Sequence, residues 1–402
     1  MSTLPFDLDD PLLAAAAWSR IAEPGDEVAG ALVAHLGAPG ALRWLVDQER
    51  AVLLESPLPA GSVSAQRALA AGVARWSPRL DGLDPRRELA VLERTGGTVL
   101  LPGDDRWPHR LADLGAAAPF ALWVRGQPDL GAACRRSVAV VGARASTSYG
   151  EHVTAQLVAG LVDRGFTVVS GGAYGIDAVA HRAALVNGGP TVAVMAGGVD
   201  RFYPQGNHEL LRRVAETGTV VAEVPPGSTP FKQRFLARNR VIAAMTAATV
   251  VVEAAWRSGA LSTARRAADL LRPVGAVPGP VTSMASGGCH GLLRDGVATC
   301  VTDAAEAAEL AGTVGRDAAP ERAADAADAA DVTDGLGDAE RAVLDALPAR
   351  TGTDVSALCR IAGRSLPEVL GALGLLESRG LVRSDGTQWR RVVAAVAGRV
   401  RG

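Results

Sequence analysis

The chain has 402 residues, with 41 Lys or Arg against 43 Asp or Glu, so its formal net charge at pH 7 is −2. Because a near-neutral chain has no general attraction to polyanions, any binding of nucleic acid must come from a local basic patch. Hydrophobic residues make up 48% of the chain and charged residues 21%, which is typical of a globular protein with a sizeable core and, at this length, about two to three domains.

The first residues and the cysteines disfavour secreted, membrane and zinc proteins. The start, MSTLPFDLDD, is acidic and does not resemble a secretion signal. The apolar runs are much shorter than the roughly 20 residues of a membrane span. The four cysteines (Cys134, Cys289, Cys300 and Cys359) are scattered without a CxxC pair. We therefore expect a cytoplasmic protein that has reduced thiols, no disulfide framework, no metal site and no contact with a membrane.

The N-terminal residues 1–85 contain short stretches rich in Ala and Leu that are broken by Pro and Gly. Residues 26–36 and 41–54 are two such stretches, and they predict a small helical domain. No catalytic constellation is visible in it, so we expect a role in packing or partner contact. A strand-like patch follows at 98–101 and 120–124.

From Arg136 onward, apolar β-branched runs alternate with helical stretches. The runs are residues 137–144, 166–173, 191–198, 219–225, 248–254 and 273–279. Fully apolar strands that alternate with helices predict an α/β fold with a parallel sheet covered on both faces. Several runs end in Gly or Ser. Because ligands of open α/β sheets bind outside the carboxyl ends of the strands, we expect the functional site at that edge.

The last quarter of the chain predicts a linker and a second small domain. Residues 311–337 are of low complexity and rich in Ala and acids, which indicates a disordered acidic linker, with an Ala-rich helix as the alternative. Residues 338–391 predict three helices and a hairpin with an Asp-Gly turn, the order of a winged helix. Its third helix has no cation before Arg379. Helices that read DNA sequence carry their base-contacting residues near the N-terminus. Protein contact is therefore favoured over DNA reading.

The most basic segment of the α/β region is residues 231–240, FKQRFLARNR, with four cations, two aromatics and no acid. It contains Lys232, the only lysine of the chain. Cations interleaved with aromatics suit single-stranded nucleic acid, because the charges follow the phosphates while a ring stacks on a base. The alternative is a solvated basic helix start whose Phe residues anchor it to the core.

Three strand-to-helix turns carry candidate ligand groups. Residues 141–146, VGARAS, lack the GxGxxG pattern of a dinucleotide site and instead suit a phosphate held by Arg144 and helix N–H groups. The alternative is an ion pair between Arg144 and a carboxylate. Residues 170–177, SGGAYGID, let the backbone approach a ligand closely. Residues 258–263, SGALST, open another helix whose N-terminus can bind an anion.

Candidate catalytic groups are few. Asp177 and His181 lie four residues apart on a predicted helix, but without a third partner a structural contact between them is favoured over a metal or acid/base site. Glu253 ends a strand and is interpreted as an acceptor for neighbouring turns. No Ser/His/Asp ordering, Walker loop or paired carboxylates are evident, so we expect a protein that is not an enzyme and uses no cofactor.

Six motifs, in order and spacing, resemble the DNA-processing protein A (DprA/Smf) family over about residues 95–305. They are VGARASTSYG, VSGGAYGIDAVAH, YPQGN, FLARNR, VVEAAWRSGALSTA and VPGPVTSMASGG. The resemblance implies an extended Rossmann-like domain (residues 86–310) between a SAM-like helical domain (1–85) and, after the linker, a winged helix (338–402). It also implies sequence-independent binding and protection of single-stranded DNA, loading of the RecA recombinase in natural transformation, and homodimers.

The resemblance also implies roles for individual residues. Arg144 and Lys232 would hold phosphates and Phe235 would stack on a base, while Arg238, Asn239 and Arg240 would complete a basic pocket. The full set expected to bind single-stranded DNA is Arg144, Ser146, Gly171, Gly172, Lys232, Phe235, Arg238, Asn239, Arg240 and Ser258. Leu236 departs from the family pattern, which usually has Pro there, as do Ala260 and Ser262, which replace Ser and Ile.

Two alternatives remain open at this stage. The first is a nucleotide-processing enzyme similar to the phosphoribohydrolases of cytokinin activation, which share a Rossmann-like core and a PGGxGTxxE motif. The corresponding helix start here reads SGALSTARR and has no Glu in the expected place. The second is a pure interaction protein that docks RecA or another partner on the sheet domain.

Overall fold

The computed structural model describes residues 4–50, 63–313, 315–320, 336–347, 352–386 and 388–392. The chain divides into two compact units, Met1–Ala319 and Pro320–Gly402. The domain limits expected from the sequence stay predictions. Within the described ranges, every helix is too short or too polar to cross a bilayer.

The described N-terminal residues form four helices, as the sequence predicts. They are α1 (Pro11–Ile21), α2 (Glu27–Arg50), α3 (Val63–Trp76) and α4 (Pro85–Arg94). Helix α2 is interrupted at Gly37, whose φ of 71° is left-handed, and this break separates the two stretches that the sequence predicts. The small core is organised by Trp18 and Trp76, whose rings meet edge to face with centroids 5.5 Å apart.

The first unit is built on a sheet of nine strands among the described residues, in the order β1-β2-β6-β5-β4-β3-β7-β8-β9. The strands are β1 (Gly97–Leu100), β2 (Leu122–Gly126), β3 (Ser137–Val141), β4 (Thr167–Ser170), β5 (Thr191–Met195), β6 (Thr219–Ala222), β7 (Ala248–Val251), β8 (Val274–Ala276) and β9 (Thr299–Cys300). The six predicted apolar runs supply β3 to β8, which pair in parallel. The strand-like patch supplies β1 and β2, which add an antiparallel edge.

Helices cover both faces of this sheet. They are α5 (Leu130–Arg135), α6 (Ser148–Asp163), α7 (Ile176–Val186), α8 (His208–Thr217), α9 (Lys232–Met245), α10 (Ala260–Asp269), α11 (Gly287–Arg294) and α12 (Ala304–Ala311). Successive residues of a strand point to opposite faces. In β3, Val138 and Val140 therefore pack with α6, α7 and α12, whereas Ala139 and Val141 pack with α9 and α10. This α/β layering confirms the predicted fold class.

The strand order reverses at β3. The chain runs from β3 through β4, β5 and β6 on one side, and returns to place β7 on the other side of β3. In open α/β sheets the loops that leave two such strands diverge, and the crevice between them is the usual ligand site. Here that crevice lies outside the carboxyl ends of β3 and β7.

The second unit contains α13 (Asp338–Ala346), α14 (Val355–Ala362), α15 (Leu366–Ser378) and a hairpin of β10 (Val382–Ser384) and β11 (Trp389–Arg391). Three helices and a hairpin are the elements that the sequence predicts, and the assignment to the winged-helix fold stays a prediction. Of the predicted linker, residues 314 and 321–335 lie outside the described residues. Asp317, which lies in the described residues 315–320, accepts hydrogen bonds of 2.6 and 2.7 Å from the guanidinium of Arg136.

Candidate nucleic-acid interface

A cleft of about 850 Å³ opens at the crevice between β3 and β7. Residues 141–145 form one wall, residues 257–260 ahead of α10 form another, and α9 forms the third. The cleft therefore lies at the edge of the sheet where the sequence predicts the functional site.

Helix α9 presents one stripe of side chains to the cleft. Lys232, Phe235, Leu236, Asn239 and Ile242 line it, and their spacing of three or four residues places them on one face of the helix. No side chain caps the N-terminus of α9, and its first turn has no acidic residue. The free N–H groups of that turn and the helix dipole therefore favour an anion beside Lys232.

Phe235 is the centre of a small cluster of one cation and two rings. The guanidinium carbon of Arg144 lies 4.9 Å from the centroid of the Phe235 ring. The ring of Tyr203 lies 5.8 Å away on a plane tilted by 54°. Phe235 is half-buried and Tyr203 is 47% exposed. This cluster offers aromatic surface beside a positive charge, which suits a ligand that carries both a flat ring and a phosphate.

The cleft is electropositive. The cations that line it are Arg144, Lys232, Arg238 and Arg257, and the one acidic residue among the described lining residues is Asp177. Arg144, Lys232 and Arg257 are exposed, and no carboxylate in the described part of the chain pairs with them. The alternative of an Arg144 ion pair is therefore wrong for the described residues, and three charges remain available to an anion.

Arg238 has a different role, because it braces the floor of the cleft. It is only 7% exposed and donates hydrogen bonds to the carbonyls of Gly171, at 2.7 Å, and Val194. Burial lowers its pKa to about 10, while nearby Asp177 acts in the opposite direction, so the guanidinium stays charged at neutral pH. Burial also raises the pKa of Asp177, whose carboxylate accepts from the N–H groups of Gly171 and Ala173.

The loop that carries Arg144 is held by Glu253. This carboxylate, 1% exposed at the end of β7, accepts hydrogen bonds from the N–H of Thr147 at 3.0 Å and from its hydroxyl at 2.5 Å. The interpretation of Glu253 as an acceptor for a neighbouring turn is therefore confirmed. Ser146, in the same loop, donates instead to Glu151 at 2.8 Å, outside the cleft.

The structure brings together six of the ten residues expected to bind DNA. Those that line the cleft are Arg144, Lys232, Phe235, Arg238, Asn239 and Ser258. Ser146, Gly171, Gly172 and Arg240 do not line it. Gly171 instead packs on Arg238, because a Cβ at that position would lie 2.2 Å from the guanidinium Nη1. The carbonyl of Gly172 accepts from Asn207 at 3.0 Å.

Arg240 lies away from the cleft. It is 6% exposed and pairs with Glu223 at 2.5 Å, close to Gly25 in the turn between α1 and α2. Two positions separate it from Arg238, so the two side chains leave α9 in very different directions. Arg240 therefore contributes to the core rather than to the cleft surface.

The expected contact between Asp177 and His181 is corrected by the structure. Asp177 is engaged by the two backbone N–H groups, whereas Nδ1 of His181 lies 2.8 Å from the hydroxyl of Thr191. Burial lowers the pKa of His181 to about 3, and the positive charge of Arg238 adds to that shift. The imidazole is therefore a neutral core group.

The sequence interpretation missed two residues of the cleft. Tyr203 entered the sequence analysis only as part of the motif YPQGN, although an aromatic in the loop after a predicted strand was a usable signal. Arg257 lies between Trp256 and Ser258, and its place ahead of a helix N-terminus was the signal available there. Tyr203 belongs to the Phe235 cluster, and Arg257 adds a cation to the cleft wall.

Comparison with known proteins agrees with these features. The family model for DNA recombination-mediator protein A matches residues 98–312. A Mycobacterium tuberculosis relative that bears the DprA name is 45% identical over 321 residues, covering 77% of this chain and 81% of its own. DNA processing protein DprA of Streptococcus pneumoniae is 41% identical over 193 residues, covering 48% of this chain and 67% of its own.

A solved structure gives the same result. The X-ray structure of DNA processing protein A from S. pneumoniae aligns with a TM-score of 0.56 and 30% identity, over 72% of this chain and 93% of that chain. The matched region contains the whole cleft, from the loop after β3 to the start of α11. The chain therefore belongs to the DNA recombination-mediator protein A (DprA/Smf) family.

Proposed function

We propose that this protein binds single-stranded DNA in the cleft, without sequence preference, as its part in DNA processing. The observation that carries the proposal is the contact of Arg144 and Tyr203 with the ring of Phe235, beside Lys232 at the uncapped start of α9. A base stacked on Phe235 would bring its phosphates to the exposed cations and to the free N–H groups of the helix.

The same groups favour an unpaired strand over a duplex. A ring stacks only on a base whose face is open, and in a duplex each face is covered by the next base pair. Few groups are available to read base edges, since the amide of Asn239 already donates to the carbonyl of Gly259 at 3.2 Å. Sequence readout needs directed donors and acceptors, so we expect binding to depend on stacking and charge.

Binding without catalysis is also part of the proposal. Asp177, the acidic residue among the described lining residues, is buried and engaged by backbone N–H groups, and Glu253 is bound to Thr147. Neither carboxylate has the exposure that a general acid or base would need to reach a substrate. The phosphoribohydrolase alternative therefore gains no support from the cleft.

Substitution of Phe235 tests the proposal. Phe235→Leu keeps an apolar side chain but removes the ring, and it should weaken binding to oligo-dT by about 1–3 kcal/mol, which is about 5- to 150-fold. Phe235→Trp keeps a ring and should bind nearly as tightly as the wild type. Competition with a duplex of equal length measures strand preference. Equal affinity of the Leu variant and the wild type for oligo-dT, or equal affinity of the wild type for duplex, would contradict the proposal.

Two further proposals rest on the family resemblance. We propose that the protein loads RecA on single-stranded DNA during transformation and that it forms homodimers. RecA should form filaments on single-stranded DNA faster when this protein is added. The DNA-dependent ATPase activity of RecA measures that rate. Light scattering should give twice the mass of 41.2 kDa. A monomer at all micromolar concentrations would overturn the second proposal.

We propose that the C-terminal unit serves protein contact. Helix α15 exposes three leucines, Leu366, Leu370 and Leu375, which are 54%, 49% and 51% exposed. Exposed apolar side chains on one helix can pack against a protein partner, whereas they offer no favourable contact to a phosphate backbone. Leu370→Ser should therefore leave the affinity for oligo-dT unchanged, and a loss of affinity would assign this unit to DNA instead.

A further inference from the structure

Trp256 is the most exposed aromatic residue of the described chain, at 59%. Its two neighbours, Ala255 and Arg257, line the cleft, but the indole itself lies beyond that wall. A tryptophan used only for packing is normally covered. A large exposed ring beside a binding cleft is therefore a candidate contact for a ligand.

The indole packs against two glycines of α11. A Cβ on Gly287 would lie 2.7 Å from the indole Nε1, and a Cβ on Gly291 would lie 3.0 Å from its Cζ3. The first distance is too short for a Cβ and the second is tighter than most Cβ contacts, so glycine at both positions lets the ring lie this close to the helix. One side of the indole therefore packs against α11. The 59% exposure of Trp256 shows that the rest of the ring is open to solvent.

A cation accompanies this ring, as Arg144 accompanies Phe235. The guanidinium of Arg294 lies 5.9 Å from the centroid of the Trp256 ring, and its side chain is 72% exposed. Its neighbour Asp295 lies 3.5 Å away, but an exposed pair at that distance contributes little and leaves the arginine available. Arg257, on the side nearer the cleft, adds a second exposed cation.

The lining of the cleft runs directly into the residues around the indole. Met284 and Ala285 line the cleft on the side of Trp256, and they directly precede the helix that supports it. Met284 is 83% exposed and adds open apolar surface to this wall of the cleft. A strand that leaves the cleft on this side would therefore meet Arg257, then Trp256 and Arg294.

We propose that Trp256 is a second stacking platform for single-stranded DNA, where a base of a nucleotide beyond the cleft lies on the indole and Arg257 and Arg294 bind its flanking phosphates. This inference rests on the proposed function, because the same strand occupies both sites. It extends that function by predicting how contacts depend on the length of the DNA. Oligonucleotides confined to the cleft do not reach Trp256, whereas longer ones do.

The test compares short and long oligo-dT on the full-length protein. Trp256→Ala should bind the shortest oligo-dT retained by the wild type with unchanged affinity, and should bind a 20-mer about 5- to 150-fold more weakly. Trp256→Phe, which keeps a ring, should recover most of that loss. Arg294→Ala should reduce the salt slope for the 20-mer by about 0.7, whereas Arg213→Ala, on the surface of α8, should leave it unchanged.

The outcomes separate the two ideas. A wild-type protein that binds no oligonucleotide overturns the proposed function and the platform with it. A wild type that binds both lengths, with Trp256→Ala equal to it on the 20-mer, overturns the platform alone. Quenching of intrinsic fluorescence gives a second readout, since the 20-mer should quench the wild type more than the short oligomer does, and Trp256→Phe should lose that difference. Equal quenching by both lengths in the wild type would also overturn the platform.

Discussion

Replacing Lys232 by Gln should flatten the salt dependence of oligonucleotide binding. Arg144, Lys232 and Arg257 are the exposed cations that line the cleft, and each can neutralise one phosphate of a short strand. Each neutralised phosphate of a single strand contributes about −0.7 to the log–log salt slope, so three give about −2.1 and a fourfold rise in salt weakens binding about 18-fold. With Lys232 removed the slope becomes about −1.4 and the loss about sevenfold.

Fluorescence anisotropy of a labelled short oligo-dT, titrated at several salt concentrations between about 50 and 200 mM, measures this slope directly. Arg213→Gln removes an equal charge from the surface of α8 and should keep the wild-type slope. Phe235→Leu should shift the whole line to weaker affinity and leave its slope unchanged, because stacking releases no counterions. A slope for Lys232→Gln equal to that of the wild type would show that the phosphates do not pass beside α9.

Three further predictions concern buried polar groups. Glu253→Gln should lower the free energy of unfolding by about 1–3 kcal/mol and weaken oligo-dT binding, because Thr147 loses a charged acceptor; unchanged values in denaturant and binding titrations would contradict this. Arg240→Ala should cost about 3–5 kcal/mol by leaving Glu223 buried and unpaired, whereas Arg240→Met with Glu223→Leu should recover most of it in urea unfolding. His181 has a folded pKa of about 3 against an ordinary 6.5, so the unfolded state binds the extra proton as the pH falls below 6.5. Stability should then drop by about 2 kcal/mol between pH 7.5 and 5, and the drop should be smaller in His181→Gln.

The parallel sheet was predictable because its strands are buried on both faces. Runs such as 137–144 and 248–254 are apolar at most positions, whereas a strand with one exposed face alternates between apolar and polar residues. The antiparallel β1 and β2 gave a weaker signal, since β1 is half-buried along most of its length. β9 is two exposed residues, Thr299 and Cys300, and carries no pattern by which it could be predicted.

The composition of the basic segment identified α9, but it did not say which cations face the cleft. The answer lies in the helical period: Lys232, Phe235 and Asn239 repeat at three and four residues, whereas Arg234 and Arg240 fall on other faces. Arg234 pairs with Glu23 of the N-terminal helices, and Arg240 with Glu223. Their partners lie far away in sequence, so no local pattern could reveal these ion pairs.

Contributions from loops were the least predictable part of the site. Tyr203 meets Phe235 only because the loop after β5 folds toward α9, and Trp256 lies close to α11 because that helix has glycines at the contact. Both arrangements depend on the three-dimensional path of the backbone rather than on a periodic pattern. Gly287 was visible in the motif SMASGG, but its contact with an indole was not.

The single lysine of the chain has a practical consequence. Its ε-amino group lies at the exposed start of α9, in the cleft wall, while every other fixed cation is an arginine, which amine-reactive reagents leave intact. Acylation with a small ester therefore modifies one defined side chain, besides the α-amino group of the first residue, without any engineering. Mass spectrometry can follow how quickly the Lys232 adduct forms. Because a bound oligonucleotide shields this side chain, slower acylation of Lys232 directly reports occupancy of the cleft.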